Sequence, residues 1–314
     1  MALSPRTRRL FDPPADAAHT AQAVHIPAPP MAIPEPALQR FKLTPQQVAA
    51  LRRSAAAPQV PADWLVPRRW TGAVALVICG AGDTRRIFKA ILFERLLAEG
   101  IACLTYDPPG HGELQYVPMT LGNARLAASA ALDWVCAQPE VRAVGAVGIS
   151  LGGSQALDLA ARDPRVAAVV SISTPVSLAP VTRWTVLREL LALMTPPNLT
   201  WLRYPSPAYA LGEWRGAKGI WLAEPLPELI AQFDVCAAVR ATGARPKLFI
   251  HGAWDRPVPL SNAQQLYDAA QPERALLVVP HASHTSVVLD ERTMQAMAHW
   301  LAERLGAAYR TPCC

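Results

Sequence analysis

The sequence predicts an α/β fold, a doubly wound, mostly parallel sheet with a helical cap insertion, on three observations. From residue 70 onward, short β-branched runs alternate with helix-length amphipathic segments. The runs are apolar almost without interruption, as expected of strands covered on both faces rather than half-solvated. One interval, 176–240, breaks the alternation with helix-like stretches, no clear strand and four of the nine tryptophans. A chain of 314 residues suits one large domain carrying such an insertion.

Taken in order, residues 1–69 read as a Pro/Ala-rich arm with one short helix. Twelve of the 31 prolines fall within the first 67 residues, and no apolar periodicity accompanies them. The short helix is well marked: Thr44 suits the N-cap, Pro45 the first turn, and Gln47 completes a capping box. The strand-like runs lie at 73–79, 101–106, 143–149, 166–173, 247–251 and 275–279. Helical patterns cover 85–99, 121–137, 151–162, 261–270 and 288–305. The expected organisation is an arm (1–69), a core (70–175 and 241–314) and a cap (176–240). Residues 1–40 offer little to bury and are expected to be dispensable for catalysis. Ala23–Ile26 and Trp64–Val66 are the places where short edge strands could arise.

Composition narrows the function. At 51% hydrophobic and 17% charged, the chain can fill a core. Its net charge of +6 is uneven, since residues 1–70 hold nine Lys/Arg against four Asp/Glu. A basic tail on a nearly neutral body is a poor match to a nucleic-acid partner, which calls for a basic face with interleaved aromatics. The six cysteines show neither CxxC pairs nor a disulfide framework, as expected of free thiols in the cytoplasm. Arg8-Arg9 resembles an export signal, but no apolar stretch follows it. No run is long and apolar enough for a membrane span. No HExxH or clustered ligand spacing suggests a metal, and GAVGIS does not fit a dinucleotide fingerprint, so no cofactor is expected.

The chemistry is concentrated at Gly148-Ile149-Ser150-Leu151-Gly152. A GxSxG turn between a buried strand and a helix lifts the serine above the sheet edge and aims a helix N-terminus at it. A plain glycine turn is the bland alternative, and the strand and helix on either side weigh against it. Serine needs a base, and the base needs an orienting acid. His284, at the tip of the loop before the final helix, suits the base best, with His281 as its rival. His19 and His25 lie in the arm and His299 on the last helix. His111 and His251 suit loop shaping and a structural hydrogen bond. Asp255, a few residues beyond the strand at 247–251, is the candidate acid, ahead of Asp83, Asp107 and Asp163.

The order Ser150, Asp255, His284 is that of the α/β-hydrolases. Residues 70–306 resemble that superfamily further in Gly80-Ala81-Gly82, in Asp107-Pro108-Pro109-Gly110-His111-Gly112, and in HGAWDRPVP before the acid. The stretch from Cys79 to Glu113 is also similar to the fermentation-respiration switch proteins and their esterase and carbon–carbon hydrolase relatives. The resemblance implies an oxyanion hole made by the backbone N–H groups of Ala81 and Leu151. Cys79 departs from the usual pattern, in which a histidine is common. The implied activity is that of a serine hydrolase of carboxylic esters, with carbon–carbon or acyl-peptide cleavage as alternatives on the same residues. A hydrolase-shaped binding protein is the alternative of another class. The expected partner is a small ester, with apolar acyl or aromatic groups walled by Trp184, Trp201, Trp214, Trp221 and Trp254. A homodimer through the arm is compatible with the sequence.

Overall fold

The computed structural model describes residues 5–39, 43–86, 90–180, 182–194 and 220–308. Its strands are β1 (His19–Pro27), β2 (Gln59–Pro67), β3 (Ala73–Ile78), β4 (Ala102–Tyr106), β5 (Ala143–Ile149), β6 (Val166–Ile172), β7 (Lys247–Gly252) and β8 (Arg274–Val279). They form one sheet in the order β1-β2-β4-β3-β5-β6-β7-β8. Strands β3 to β8 run parallel, while β1 and β2 are antiparallel additions at one edge. This is the doubly wound, mostly parallel arrangement that the alternation of segments predicts.

Both faces of the sheet are covered. In β3, Val74, Leu76 and Ile78 enter one core while Ala73, Ala75 and Val77 enter the other. That period of two leaves no solvated face, so the strand must be apolar throughout. Helices α5 (Leu121–Cys136) and α6 (Leu151–Arg162) contribute to the first core. Helices α4 (Ala90–Ala98) and α11 (Glu291–Ala308) contribute to the second.

The arm departs from its expected extended form. Residues 19–27 pair with 59–67 along nine positions, from His19↔Pro67 to Pro27↔Gln59. Helix α1 (Pro5–Phe11) buries Leu10 in the second core, sets Phe11 edge-on to Phe93, and ties Arg6 to Glu94. Helix α2 (Glu35–Gln39) buries Ala37 and Leu38. The Asn123 side chain accepts from the Ala32 N–H at 2.9 Å and donates to its carbonyl at 2.7 Å. The physical reason for the difference is position. Strand β1 is an edge strand in which only Ile26 is fully buried, so it needs no apolar run. Strand β2 carries Pro61 just outside its register with β4, where no donated bond is required of it. Helix α3 (Pro45–Ala56) forms as its sequence predicts, including the reciprocal Thr44–Gln47 capping box.

The cap boundary also shifts. Helix α7 (Arg183–Met194) lies within the expected cap. Helices α8 (Leu226–Phe233) and α9 (Val235–Ala241) instead bury Leu229, Phe233, Val235 and Val239 in the first core. They form part of the crossover from β6 to β7. Helix α10 (Ser261–Ala269) completes the covering between β7 and β8.

Candidate active site

Ser150 occupies the bend between β5 and α6 with φ +53° and ψ −124°. A side-chain-bearing residue in that region is strained, and the surroundings enforce it. A Cβ on Gly148 would overlap the Gly152 carbonyl, and one on Gly152 would overlap the Ile78 carbonyl oxygen. Both positions must be glycine for the strand and helix to meet this closely. The Ser150 N–H donates to the Ile172 carbonyl at 2.8 Å, fixing the bend to β6.

From this bend a row of hydrogen bonds leads away. His284 Nε2 lies 3.1 Å from Ser150 Oγ, and its Nδ1 lies 2.8 Å from Asp255 Oδ2. A carboxylate only accepts, so Nδ1–H donates to Asp255 and leaves Nε2 free to accept from the serine hydroxyl. Asp255 is buried, and its other oxygen accepts the Val258 N–H at 2.9 Å. The loops after β7 and β8 are laced together by Trp254 N–H to Ala282 carbonyl (2.9 Å) and Ala253 N–H to Val279 carbonyl (3.0 Å). Burial pulls the His284 proton affinity down. The adjacent Asp255, with help from Glu189, outweighs burial and leaves the imidazole more basic than usual.

The opposite wall is formed by the loop after β3. Gly82 N–H donates to His111 Nε2 at 3.0 Å, and His111 Nδ1 donates to the Pro109 carbonyl at 2.8 Å. His111 is therefore a loop-shaping residue. Leu151 is the first residue of α6, so its N–H precedes the intrahelical ladder, and Ala81 follows β3 on the facing loop. Cys79 buries its thiol 3.5 Å from the Tyr106 carbonyl.

Arg85 fastens this wall from behind. Its guanidinium meets Asp63 at 2.9 Å, Glu113 at 2.5 Å, and Asp107. Asp107 also accepts the backbone N–H groups of Arg85 (2.9 Å) and Glu113 (3.0 Å), joining the loops after β3 and β4. Arg85, Asp63 and Asp107 are all buried. Removing one partner would leave charge without compensation, so Asp107→Ala is expected to destabilise the fold by about 3–5 kcal/mol. Urea unfolding measures this, and a loss within error of zero would show that the cluster does not brace the loops.

A model of the alpha/beta hydrolase family matches residues 75–300. The chain belongs to the alpha/beta hydrolase family. The chain is 29% identical over 236 residues to 2,6-dihydropseudooxynicotine hydrolase of Paenarthrobacter nicotinovorans, covering 74% of this chain and 58% of that protein. It is 35% identical over 100 residues to the quorum-quenching protein AidA of Acinetobacter baumannii, covering 29% of this chain and 32% of that protein. The chain thus spans less than two thirds of either relative. A hypothetical protein from Pseudomonas aeruginosa shares the fold, with a TM-score of 0.64, 21% identity, and coverage of 97% of this chain and 99% of that one.

Among the described residues, the other histidines and the tryptophans make neither hydrogen bond of the Ser150–His284–Asp255 row, although His251 Nε2 lies 3.5 Å from Asp255 Oδ2. His281 has φ +61° and stands edge-on to Trp254, ring centres 4.6 Å apart. His251 donates from Nε2 to the Val258 carbonyl at 2.8 Å. His299 lies on α11 between Glu99 and Glu303. Trp184 and Trp254 are 61% and 38% exposed, so the structure does not give them the part of buried pocket walls. Trp221 is half-buried, and its backbone pairs with Gly110 and Met119. Trp201 and Trp214 lie outside the described residues. The Arg85 cluster and the buried Glu189 on α7 are not anticipated by the sequence. The only signal for the cluster is an Arg-Arg pair placed soon after the glycine loop. Among the described residues, no group of three or more His, Cys, Asp or Glu could hold a metal, and no helix is long and apolar enough to cross a membrane.

Proposed function

We propose that the hydrolase cleaves carboxylic esters through an acyl-enzyme, with Ser150 as nucleophile, His284 as general base and Asp255 as the acid that orients it. The observation that carries this reading is the unbroken row from Ser150 Oγ to His284 (3.1 Å) and on to Asp255 (2.8 Å). As the Ser150 oxygen attacks the carbonyl, His284 Nε2 takes its proton and Asp255 stabilises the imidazolium. The N–H groups of Ala81 and Leu151 receive the oxyanion, and one such donor is typically worth about 3–4 kcal/mol. His284 then protonates the departing alcohol. Water, deprotonated by the same imidazole, attacks the acyl-enzyme and releases the acid.

A series of p-nitrophenyl esters from two to about twelve carbons tests the reading. Each methylene buried would add about 0.8 kcal/mol to binding of the transition state. A preference for medium over acetyl chains supports an apolar acyl site, and no turnover of any member contradicts ester cleavage. A second reading is favoured by the relative from Paenarthrobacter nicotinovorans, which is named for an oxynicotine rather than an ester. The same relay could cleave a carbon–carbon bond beside a carbonyl, so inert esters together with a hydrolysed aryl ketone would select it.

The pH dependence follows from His284. Only the neutral imidazole can accept the serine proton, so activity falls as pH drops through the imidazole's pKa. Asp255 and Glu189 hold that pKa above the ordinary histidine value. The acid limb of kcat/KM should therefore have its midpoint above about 6.5. A profile that stays flat between about pH 5 and 8 would contradict a histidine base.

A further inference from the structure

Residues 220–223, within the cap interval, form a strap laid against the loop that follows β4. Trp221 N–H donates to the Gly110 carbonyl at 3.1 Å, and the Trp221 carbonyl accepts from Met119 N–H at 2.8 Å. Ala223 N–H donates to the Met119 carbonyl at 3.1 Å, and Leu222 pairs with Met119 in a parallel bridge. Gly110 has φ +78°, and a Cβ there would meet the Trp221 carbonyl oxygen at 2.5 Å. Strap and loop thus approach at a residue that only glycine suits.

The next residue, His111, is buried, and its ring reaches across to the loop after β3. Its Nε2 accepts the Gly82 N–H at 3.0 Å, and its Nδ1–H donates to the Pro109 carbonyl at 2.8 Å. A backbone N–H only donates, so these two bonds fix the tautomer. Two residues before Gly82, the same loop lies against the nucleophile. A Cβ on Gly80 would stand 3.3 Å from Ser150 Cβ and 3.2 Å from the Ile149 carbonyl oxygen. Asp83 N–H donates to the Gly80 carbonyl at 3.3 Å, closing a turn around Ala81 and Gly82. The Ala81 N–H therefore sits between the approach to Ser150 and the bond to His111.

We propose that His111 is a positioning residue of the oxyanion side, setting the turn at 80–83 beside Ser150 according to how the strap at 220–223 is seated. The strap holds Gly110, His111 follows it in the chain, and the imidazole passes that position to Gly82. An apolar side chain could fill the same space but would leave the Gly82 N–H without its acceptor. Oxyanion donors work by being in place before the charge develops, so a turn that drifts loses rate rather than ground-state binding. The kinetic consequence rests on Ser150 and Ala81 acting as in the proposed reaction, whereas the link from strap to turn does not.

Hydrogen exchange followed by mass spectrometry on the full chain, paired with ester kinetics, tests it. His111→Asn is too short to offer Gly82 an acceptor, His111→Gln is long enough, and Ala223→Pro removes the strap's N–H bond to Met119. His111→Asn and Ala223→Pro should each raise deuterium uptake in the peptide carrying residues 80–83. Each should lower kcat about tenfold or more, a fraction of what one oxyanion donor is worth, with KM changed less than about threefold. His111→Gln should keep both readings near wild type. The double variant should fall little below the worse single, since both changes act through one contact. If His111→Asn fails to fold, Ala223→Pro carries the same expectation. Uptake at 80–83 that stays at the wild-type level in either folded variant overturns the proposal, and so does raised uptake with kcat unchanged. Raised uptake in a chain inert on every ester, wild type included, would uphold the link from strap to turn and count against ester cleavage alone.

Discussion

Ser150→Ala is expected to lower ester kcat/KM by about 10⁴-fold or more, with melting temperature at or above that of wild type. The activity loss follows because the β5–α6 bend holds this hydroxyl 3.1 Å from His284 Nε2. Stability should not fall, since the bend is imposed by Gly148, Gly152 and the Ser150 N–H bond to Ile172. His284→Ala should cost a similar factor, and combining the two should add little, because they act as one unit. Asp255→Asn should also remove most turnover by disturbing the tautomer and orientation of the imidazole. His281→Ala should be far milder, since its ring contacts Trp254 and it is not part of the relay. Initial rates on a p-nitrophenyl ester decide the matter. Near-normal turnover by folded Ser150→Ala would remove the serine from the chemistry.

A chain beginning near Lys42 is expected to lose the soluble folded state. Truncation removes Leu10, Ile26, Met31 and Leu38 from the two cores or their margins. Burial of each large apolar side chain is worth about 1.5–3 kcal/mol, and a domain's whole margin is about 5–15 kcal/mol. It also strips β2 of its nine-residue partner, exposing a long edge suited to intermolecular pairing. Sedimentation and circular dichroism of the truncated chain measure the outcome. A monodisperse, fully folded product would show that β1 and α1 are accessories.

The contrast between arm and core shows what is legible in a sequence. Strands buried on both faces, such as β3 and β5, spell themselves as unbroken apolar runs, and their bounds match those runs to within a residue or two. The same holds for Ser150, because the glycines around it are required by overlap with backbone atoms. The candidate acid and base, Asp255 and His284, are suggested by their loops and their order, and the structure brings them within 2.8 Å of each other. Strand β1 is not, because an edge strand with one buried side chain looks like a polar tail. Strand β2 is obscured by Pro61 and by Asp63, whose burial makes sense only once Arg85 and Arg86 are seen to reach it. Glu189 is hidden for a related reason, since on a helix of apolar residues a lone glutamate reads as the solvated face. Long-range charge pairing leaves no periodicity in one dimension.

The most direct test of the central claim is covalent labelling of the full chain with a fluorophosphonate, followed by intact-mass and peptide-mass measurement. Such a probe modifies a serine only where a base activates it and an oxyanion site receives the phosphoryl oxygen. The expected result is one adduct per chain, located on the peptide containing Ser150, blocking ester turnover in proportion and absent from Ser150→Ala. An unlabelled wild-type chain, or an adduct that persists on Ser150→Ala, would contradict Ser150 as the nucleophile.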